Sequence, residues 1–541
     1  MSAPLLILGL DGATFDVIDP MIDAGELPTF ARLARDGARG VLRSSPVPVS
    51  PCAWTCITTG KNPGRHGVFD FCRRPEGTYR IDVVSERTVR SKRLWDLVGE
   101  AGRRSVVFNV PVTWPARAVE GAMLSGLLTP TPEDRFAEPP DIARRLLERV
   151  PDYKVSTDVV FDPRHPEIYR DDIRRVQQAH ETAAAWLHEE HGADLEFYVF
   201  MALDHMQHKL WRRPGDSVGG DASAGEDVRA MYREMDAFLA RTLSRYDGVN
   251  VMILSDHGFG PLEKVLRLNR WLMQQGFLVL KESPTLAVKK VLARTEAIPK
   301  TYRLMQRLGL GGLARFVPKN LQHAAATSGI SFDDVDWRRT RAYSYGEFGQ
   351  IFVNLKGREP EGIVEPGAQY ERTLEEIESG LTALRDPDTG RTIVTDVYRK
   401  EDLYSGDLLE RAPDLTFAID DYRYDASVAF GFERAEAIGG PEFFDSGSHR
   451  PDGILYMTGP AVKAGARIEG ADVYDITPTA LHLMGLPVPA DMDGQVLAAA
   501  LEGDGAATIA GESSRGESAE EAAPAEGSDV VDRLRALGYM D

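Results

Sequence analysis

Three aspartates follow directly on short apolar runs: Asp11 after Leu5–Leu10, Asp204 after residues 197–203, and Asp256 two residues past the run 249–254. One such aspartate is ordinary, since the residue also caps helices. Three, two of them beside histidines, form the pattern of a cation site. In Asp204-His-Met-Gln-His208 the i, i+4 spacing puts Asp204 and His208 on one face of a helix, where both can grip one ion. His205 points elsewhere and reads as a supporting or structural histidine. In Asp256-His257-Gly258 the ligand types are adjacent, so they converge only at a turn, and Gly258 supplies the backbone freedom for one. His449, in Gly447-Ser-His449, is a further glycine-flanked histidine that alone would pass for a surface loop residue. Mixed carboxylate and imidazole ligands suit zinc, with manganese tolerated. Two such ions about 4 Å apart can polarise a phosphoryl oxygen, lower a hydroxyl pKa and stabilise a leaving oxygen.

The hydroxyl on which they would act is Ser50. Ser50-Pro51 reads as a helix N-cap followed by the first helical residue, with a mostly uncharged helix running to Gly60. Such a hydroxyl can simply serve its own backbone. It also sits where helix N–H groups and the helix dipole favour an anion, and becomes a candidate nucleophile if the carboxylates converge there.

The elements must bring these residues together. Leu5–Leu10, Ser105–Val110 and the runs 123–128, 197–203 and 249–254 have the apolar density of buried parallel strands. The helical patterns at 27–38, 140–150, 167–191 and 226–246 alternate with them. The expected fold class is therefore α/β, a mainly parallel central sheet flanked by helices. Ligands in such sheets bind outside the carboxyl ends of the strands, where Asp11, Asp204 and Asp256 would gather. Later strand-like pieces are expected at 350–354, 392–395, 414–419 and 453–457, with a closing helix at 475–484.

These residues carry a family resemblance. Leu10-Asp11-Gly12, the Ser50 helix ending Thr58-Thr59-Gly60 with Pro63-Gly-Arg-His-Gly67, Asp204-x-x-x-His208, Ser255-Asp256-His257-Gly258 and Gly447-Ser-His449 occur in the order found in the alkaline phosphatase superfamily. The chain most resembles its type I phosphodiesterase/nucleotide pyrophosphatase-like and phosphoglycerate-mutase-like branches. The resemblance implies two divalent transition metals, zinc or manganese. One would be held by Asp204, His208 and His449, the other by Asp11, Asp256 and His257. It also implies a covalent phosphoenzyme on Ser50. The reaction implied is hydrolysis of a small phosphate ester, most readily a phosphodiester. The alternatives are phosphoryl transfer through the same serine, or a metal-binding member without activity. Two departures stand out. The nucleotide phosphodiesterases usually have threonine at the Ser50 position, and an asparagine where this chain has Val68-Phe-Asp-Phe71. The sulfatase signature Cys-x-Pro-x-Arg is absent at Ser50, which disfavours sulfate esters. Lys61, Arg65, Arg73 and His205 are the candidate substrate contacts, although exposed basic residues after a helix are usually just solvated.

At 541 residues, with 43% hydrophobic and 27% charged residues, the chain can bury a large core. A net charge of −20 repels nucleic acid and anionic membranes at long range, so no nucleic-acid polymer and no membrane is expected as partner. Three clustered cysteines make no disulfide framework, no run approaches the roughly 20 apolar residues of a membrane span, and the N-terminus lacks a signal-peptide pattern. A cytoplasmic protein is expected. The expected organisation is a core over 1–260 and 336–500, a helical insertion or cap over 261–335, an acidic linker over 501–528 and a short helix over 529–541. That last helix would dock on the body or support an oligomer, or fray.

Overall fold

The computed structural model describes residues 4–130, 135–212, 223–284, 286, 331–428, 430, 436–441, 445–503 and 508–511. The C-terminal helix expected over 529–541, most of the acidic linker, and the part of the insertion over 287–330 lie outside these residues.

A nine-stranded sheet forms the centre, in the order Arg467–Asp472, Ala38–Arg43, Asp452–Thr458, Asn250–Leu254, Leu5–Leu10, Leu195–Phe200, Ser105–Val110, Gly121–Ser125, Ala137–Glu138. All but Asp452–Thr458 and Ala137–Glu138 run the same way, so the sheet is mainly parallel as expected. Period-two alternation explains why every residue of its central strands is apolar or buried. In Leu5–Leu10, Leu5 and Ile7 enter one hydrophobic core while Leu6, Leu8 and Leu10 enter the other, on the opposite face. Helices Phe15–Asp23, Pro166–His191 and Glu226–Leu243 cover the second core. Helices Ser50–Thr59, Leu94–Glu100 and Ile476–Leu483 contribute to the first.

Several expected elements differ. The strand expected at 123–128 is Gly121–Ser125, and the helix expected to reach 246 ends at Leu243. The piece at 392–395 forms only an isolated bridge between Thr392 and Arg385. The segment expected to open a helical insertion at 261 instead carries the strand Lys264–Arg267, paired with Tyr424–Ser427 and Ile438–Gly439, before the helix Leu268–Gln274. The edge strand Arg467–Asp472 and its neighbour Ala38–Arg43 escape a reading by apolar density because half of their side chains face water.

One edge carries a pH-sensitive load. Burial raises the Asp472 carboxyl to about 6, and its Oδ1 has no hydrogen-bond partner. A carboxyl whose pKa is higher folded than unfolded stabilises fully below its unfolded value of about 4, and that contribution is lost as pH rises through 6. Asp472→Asn is therefore expected to raise stability by about 1–2 kcal/mol at pH 8 and to change little at pH 4. Thermal melts at the two pH values check this, and a gain of equal size at both would assign it to something other than the charge.

Candidate metal centre and nucleophile

The three strands expected to deliver aspartates are neighbours. Leu5–Leu10 pairs in parallel with Leu195–Phe200 on one side and Asn250–Leu254 on the other, so Asp11, Asp204 and Asp256 share one carboxyl-end edge. All three are fully buried. Gly12, with φ 69, turns the chain sharply after Asp11, and its N–H lies 3.3 Å from Asp256 Oδ1. Gln207 Nε2 donates to the Gly12 carbonyl at 2.8 Å, and Tyr232 donates to Gln207 Oε1 while accepting from Thr14 N, so the turn is braced from a second helix.

Asp204 and His208 lie one turn apart in helix Ala202–Leu210, with His208 Nε2 3.5 Å from Asp204 Oδ1. His449 arrives from far along the chain. Its strand Gly447–Arg450 pairs antiparallel with Gly258–Pro261 directly after His257, which places His449 opposite Phe259. His449 Nε2 is then 3.2 Å from Asp204 Oδ1 and 3.0 Å from His208 Nε2. The His257 and His449 rings stack at 3.7 Å between centroids. His257 Nε2 lies 3.3 Å from Asp256 Oδ2 and 3.6 Å from Asp11 Oδ1.

The helix Ser50–Thr59 starts at Ser50 itself, after extended Val49, and ends at left-handed Gly60. Ser50 is expected to cap this helix; instead the cap position falls on Val49, and the Ser50 hydroxyl is directed at Asp11 and His257. Ser50 Oγ is 3.4 Å from both Asp11 Oδ1 and His257 Nε2. One turn on, Trp54 Nε1 donates to Asp11 Oδ2 at 2.7 Å and thereby leaves Oδ1 to Ser50. Trp54 fits only because residue 9 is glycine: a Cβ there would stand 2.2 Å from the indole.

The ring nitrogens test whether cations fit. His257 Nδ1 lies 3.0 Å from the Gly258 carbonyl and His449 Nδ1 2.7 Å from the Pro48 carbonyl, so both Nδ1 atoms carry the hydrogen. Their Nε2 atoms therefore face carboxylate oxygens, with His449 Nε2 also facing His208 Nε2. Asp256 Oδ2 is buried with no hydrogen-bond donor. Lone pairs opposed in this way repel unless a cation stands between them. The ligand atoms of Asp11, Asp256 and His257 all lie within 4.8 Å of one another, as do those of Asp204, His257 and His449. The donor set thus fits divalent cations, with His257 common to both groups.

A family model for type I phosphodiesterase/nucleotide pyrophosphatase matches residues 5–431. The chain belongs to that family. It is an enzyme family of metal-dependent phosphoester hydrolases, within the alkaline phosphatase superfamily. The fold agrees with solved structures of low identity. Human ectonucleotide pyrophosphatase/phosphodiesterase 5 superposes with a TM-score of 0.51 at 13% identity, covering 92% of this chain and 100% of that one. Phosphonoacetate hydrolase from Sinorhizobium meliloti 1021, in complex with phosphonoacetate, gives 0.52 at 14% identity, covering 89% and 96%. No curated protein matches the chain.

Electrostatics distinguish the clustered groups. Burial, followed by the charges of Asp256 and Asp204, pushes the Asp11 carboxyl well above the usual range, and burial with Asp204 does the same to Asp256. Burial and the neighbouring His257 lower His449 to about 3, so its imidazole is neutral. Converging carboxylates and neutral imidazoles are what a cation would stabilise.

The other candidate residues have different surroundings. Lys61 pairs with Asp491 at 2.5 Å and Arg65 with Asp493 at 3.2 Å, tying the segment after the Ser50 helix to the C-terminal part of the core. Arg73 lies in a short hairpin opposite Asp82. His205, lowered to about 4 by burial, faces Ser156 and a small cavity lined by Thr157, Gln177 and His180. Lys61, Arg65 and His205, expected as substrate contacts, thus each have partners within the protein. In the stretch after Gly67, Phe69 and Phe71 are buried, and Asp70 turns to the segment 346–350. Trp54, Gln207, Phe259 and Phe348 support the site and were not singled out in the sequence. Trp54 alone had a local signal, its i+4 spacing from Ser50.

No helix among the described residues is long and apolar enough to cross a membrane.

Proposed function

We propose that the protein is a two-metal phosphodiesterase that works through a covalent intermediate on Ser50. The observation that carries this is the position of Ser50 Oγ, 3.4 Å from one atom of each of two residues in the Asp11, Asp256, His257 group. Asp11, Asp256 and His257 would hold one divalent cation, and Asp204, His208 and His449 the other, with His257 also within reach of the second ion and so supporting both, and with zinc the best match to the donors and manganese second. When bound, the cations supply Lewis acidity and lower the pKa of the attacking hydroxyl.

The chain's own residues do the rest. Trp54 fixes Asp11 so that Oδ1 faces Ser50. The Ser50 proton has two acceptors in reach, Asp11 Oδ1 and His257 Nε2. Ser50 Oγ attacks phosphorus, the phosphorus–oxygen bond to the leaving alcohol breaks, and water then hydrolyses the serine ester. The start of the Ser50–Thr59 helix favours the added negative charge. Three carboxylates against two divalent cations leave one net positive charge, which suits the single negative charge of a phosphodiester.

Substrate profiling of metal-replete enzyme tests the proposal. Bis(p-nitrophenyl) phosphate is expected to turn over at least about tenfold faster than p-nitrophenyl phosphate in kcat/KM. Mass balance should show every phosphoryl group passing to water. Preference for the monoester would overturn the diester assignment, and phosphorylated glycerol formed at the expense of hydrolysis would mark a phosphotransferase.

A further inference from the structure

We infer that Asp70 and Phe348 are positioning residues for His449, with Asp70 clamping the turn that seats the Phe348 ring against the imidazole. This rests on the metal reading above. The His449 imidazole is flanked by two rings: His257 at 3.7 Å with planes 20° apart, and Phe348 at 5.5 Å with planes 25° apart. Phe259 meets the same imidazole more steeply, at 5.3 Å and 64°. The hydrogen bond from Nδ1 to the Pro48 carbonyl fixes one point of the ring. Neighbouring rings are what stop it swivelling about that point, and so aim the Nε2 lone pair.

Phe348 reaches this place only through an unusual turn. Gly346, Phe348 and Gly349 have φ of 85°, 52° and 65°, and a bulky side chain seldom takes that conformation. Asp70 holds the turn from outside. Its Oδ2 accepts from Glu347 N at 2.8 Å and from Gln350 Nε2, while Oδ1 accepts from Phe71 N at 2.6 Å. A Cβ on Gly346 would lie 2.8 Å from Asp70 Oδ2, so turn and carboxylate are in direct contact. A second support converges on the same ring. Phe348 lies 6.3 Å from the ring of Tyr422, whose carbonyl accepts from Arg450, and Arg450 Nη1 also donates to the His449 carbonyl at 2.9 Å. The stretch 68–71 therefore links the segment following the Ser50 helix to His449 through two contacts.

Titration of the chelator-stripped full chain with Co2+, followed by its visible absorption, tests this. Phe348→Ala and Asp70→Ala are each expected to weaken one of two bound ions by about tenfold or more and leave the other unchanged. Phe348→Tyr, which keeps the ring, should bind as the wild type does. Asp70→Asn covers the case in which Asp70→Ala does not fold, and should shift affinity in the same direction. In the Phe348→Ala background, loss of Asp70 should add almost nothing, because the two act through one contact. Wild-type Co2+ affinity in Phe348→Ala would overturn the inference, as would an undiminished Asp70→Ala effect in that background. A wild-type chain that binds no Co2+ would instead overturn the metal reading itself.

Discussion

Ser50→Ala is expected to lose on the order of 10^4-fold or more in kcat while still binding two metal ions. The size follows from the covalent route: without Oγ no ester forms, and only direct attack by water remains. Metal retention follows from the geometry, because the carboxylate and imidazole donors converge without help from the serine. Nor should folding suffer much. The helix begins with Ser50, but its hydroxyl makes no capping bond, so the substitution removes two weak contacts at 3.4 Å. Undiminished turnover in Ser50→Ala would sink the nucleophile. Loss of metal with turnover would reassign the serine to holding the site together.

His257→Ala is expected to be nearly as damaging, by a different route. Its Nε2 belongs to both converging groups, whereas His449 belongs to one. Elemental analysis should find close to two metal ions in the wild type, about one in His449→Ala, and fewer than one in His257→Ala. Loss of this much Lewis acidity is worth several kcal/mol of barrier, on the order of 10^3-fold in rate. The substitution also leaves Asp11 and Asp256, already pushed up by burial, without the ring between them. If His257→Ala kept two ions while His449→Ala lost one, the shared position of His257 would be wrong.

The parts of the fold legible in the sequence were those governed by local pattern. Leu5–Leu10 and its two neighbours read as buried parallel strands because nothing in them faces water, and parallel direction alone gathers Asp11, Asp204 and Asp256. The i, i+4 pair Asp204 and His208 was readable for the same reason, since helix geometry fixes it. What escaped depends on contacts between distant segments. The reversed strand Asp452–Thr458 looks locally like any buried strand, yet its direction lets the preceding strand Gly447–Arg450 return His449 to Asp204. Lys61 and Arg65 read as available cations because Asp491 and Asp493 lie more than 400 positions away in the chain. The Pro48 carbonyl that sets the His449 tautomer leaves no trace in residue type, because any residue could offer it. Ser50 shows the reverse: local rules named it a cap, and the tertiary pull of Asp11 and His257 claimed its hydroxyl instead.

The covalent step can be observed directly. Metal-replete enzyme mixed with bis(p-nitrophenyl) phosphate and quenched in acid within a single turnover, then digested for mass spectrometry, should carry a p-nitrophenyl phosphate group esterified to Ser50 on the peptide containing it, with one equivalent of p-nitrophenolate released in the burst. Product formation at full rate with that peptide unmodified, or with the ester on another residue, would contradict the account.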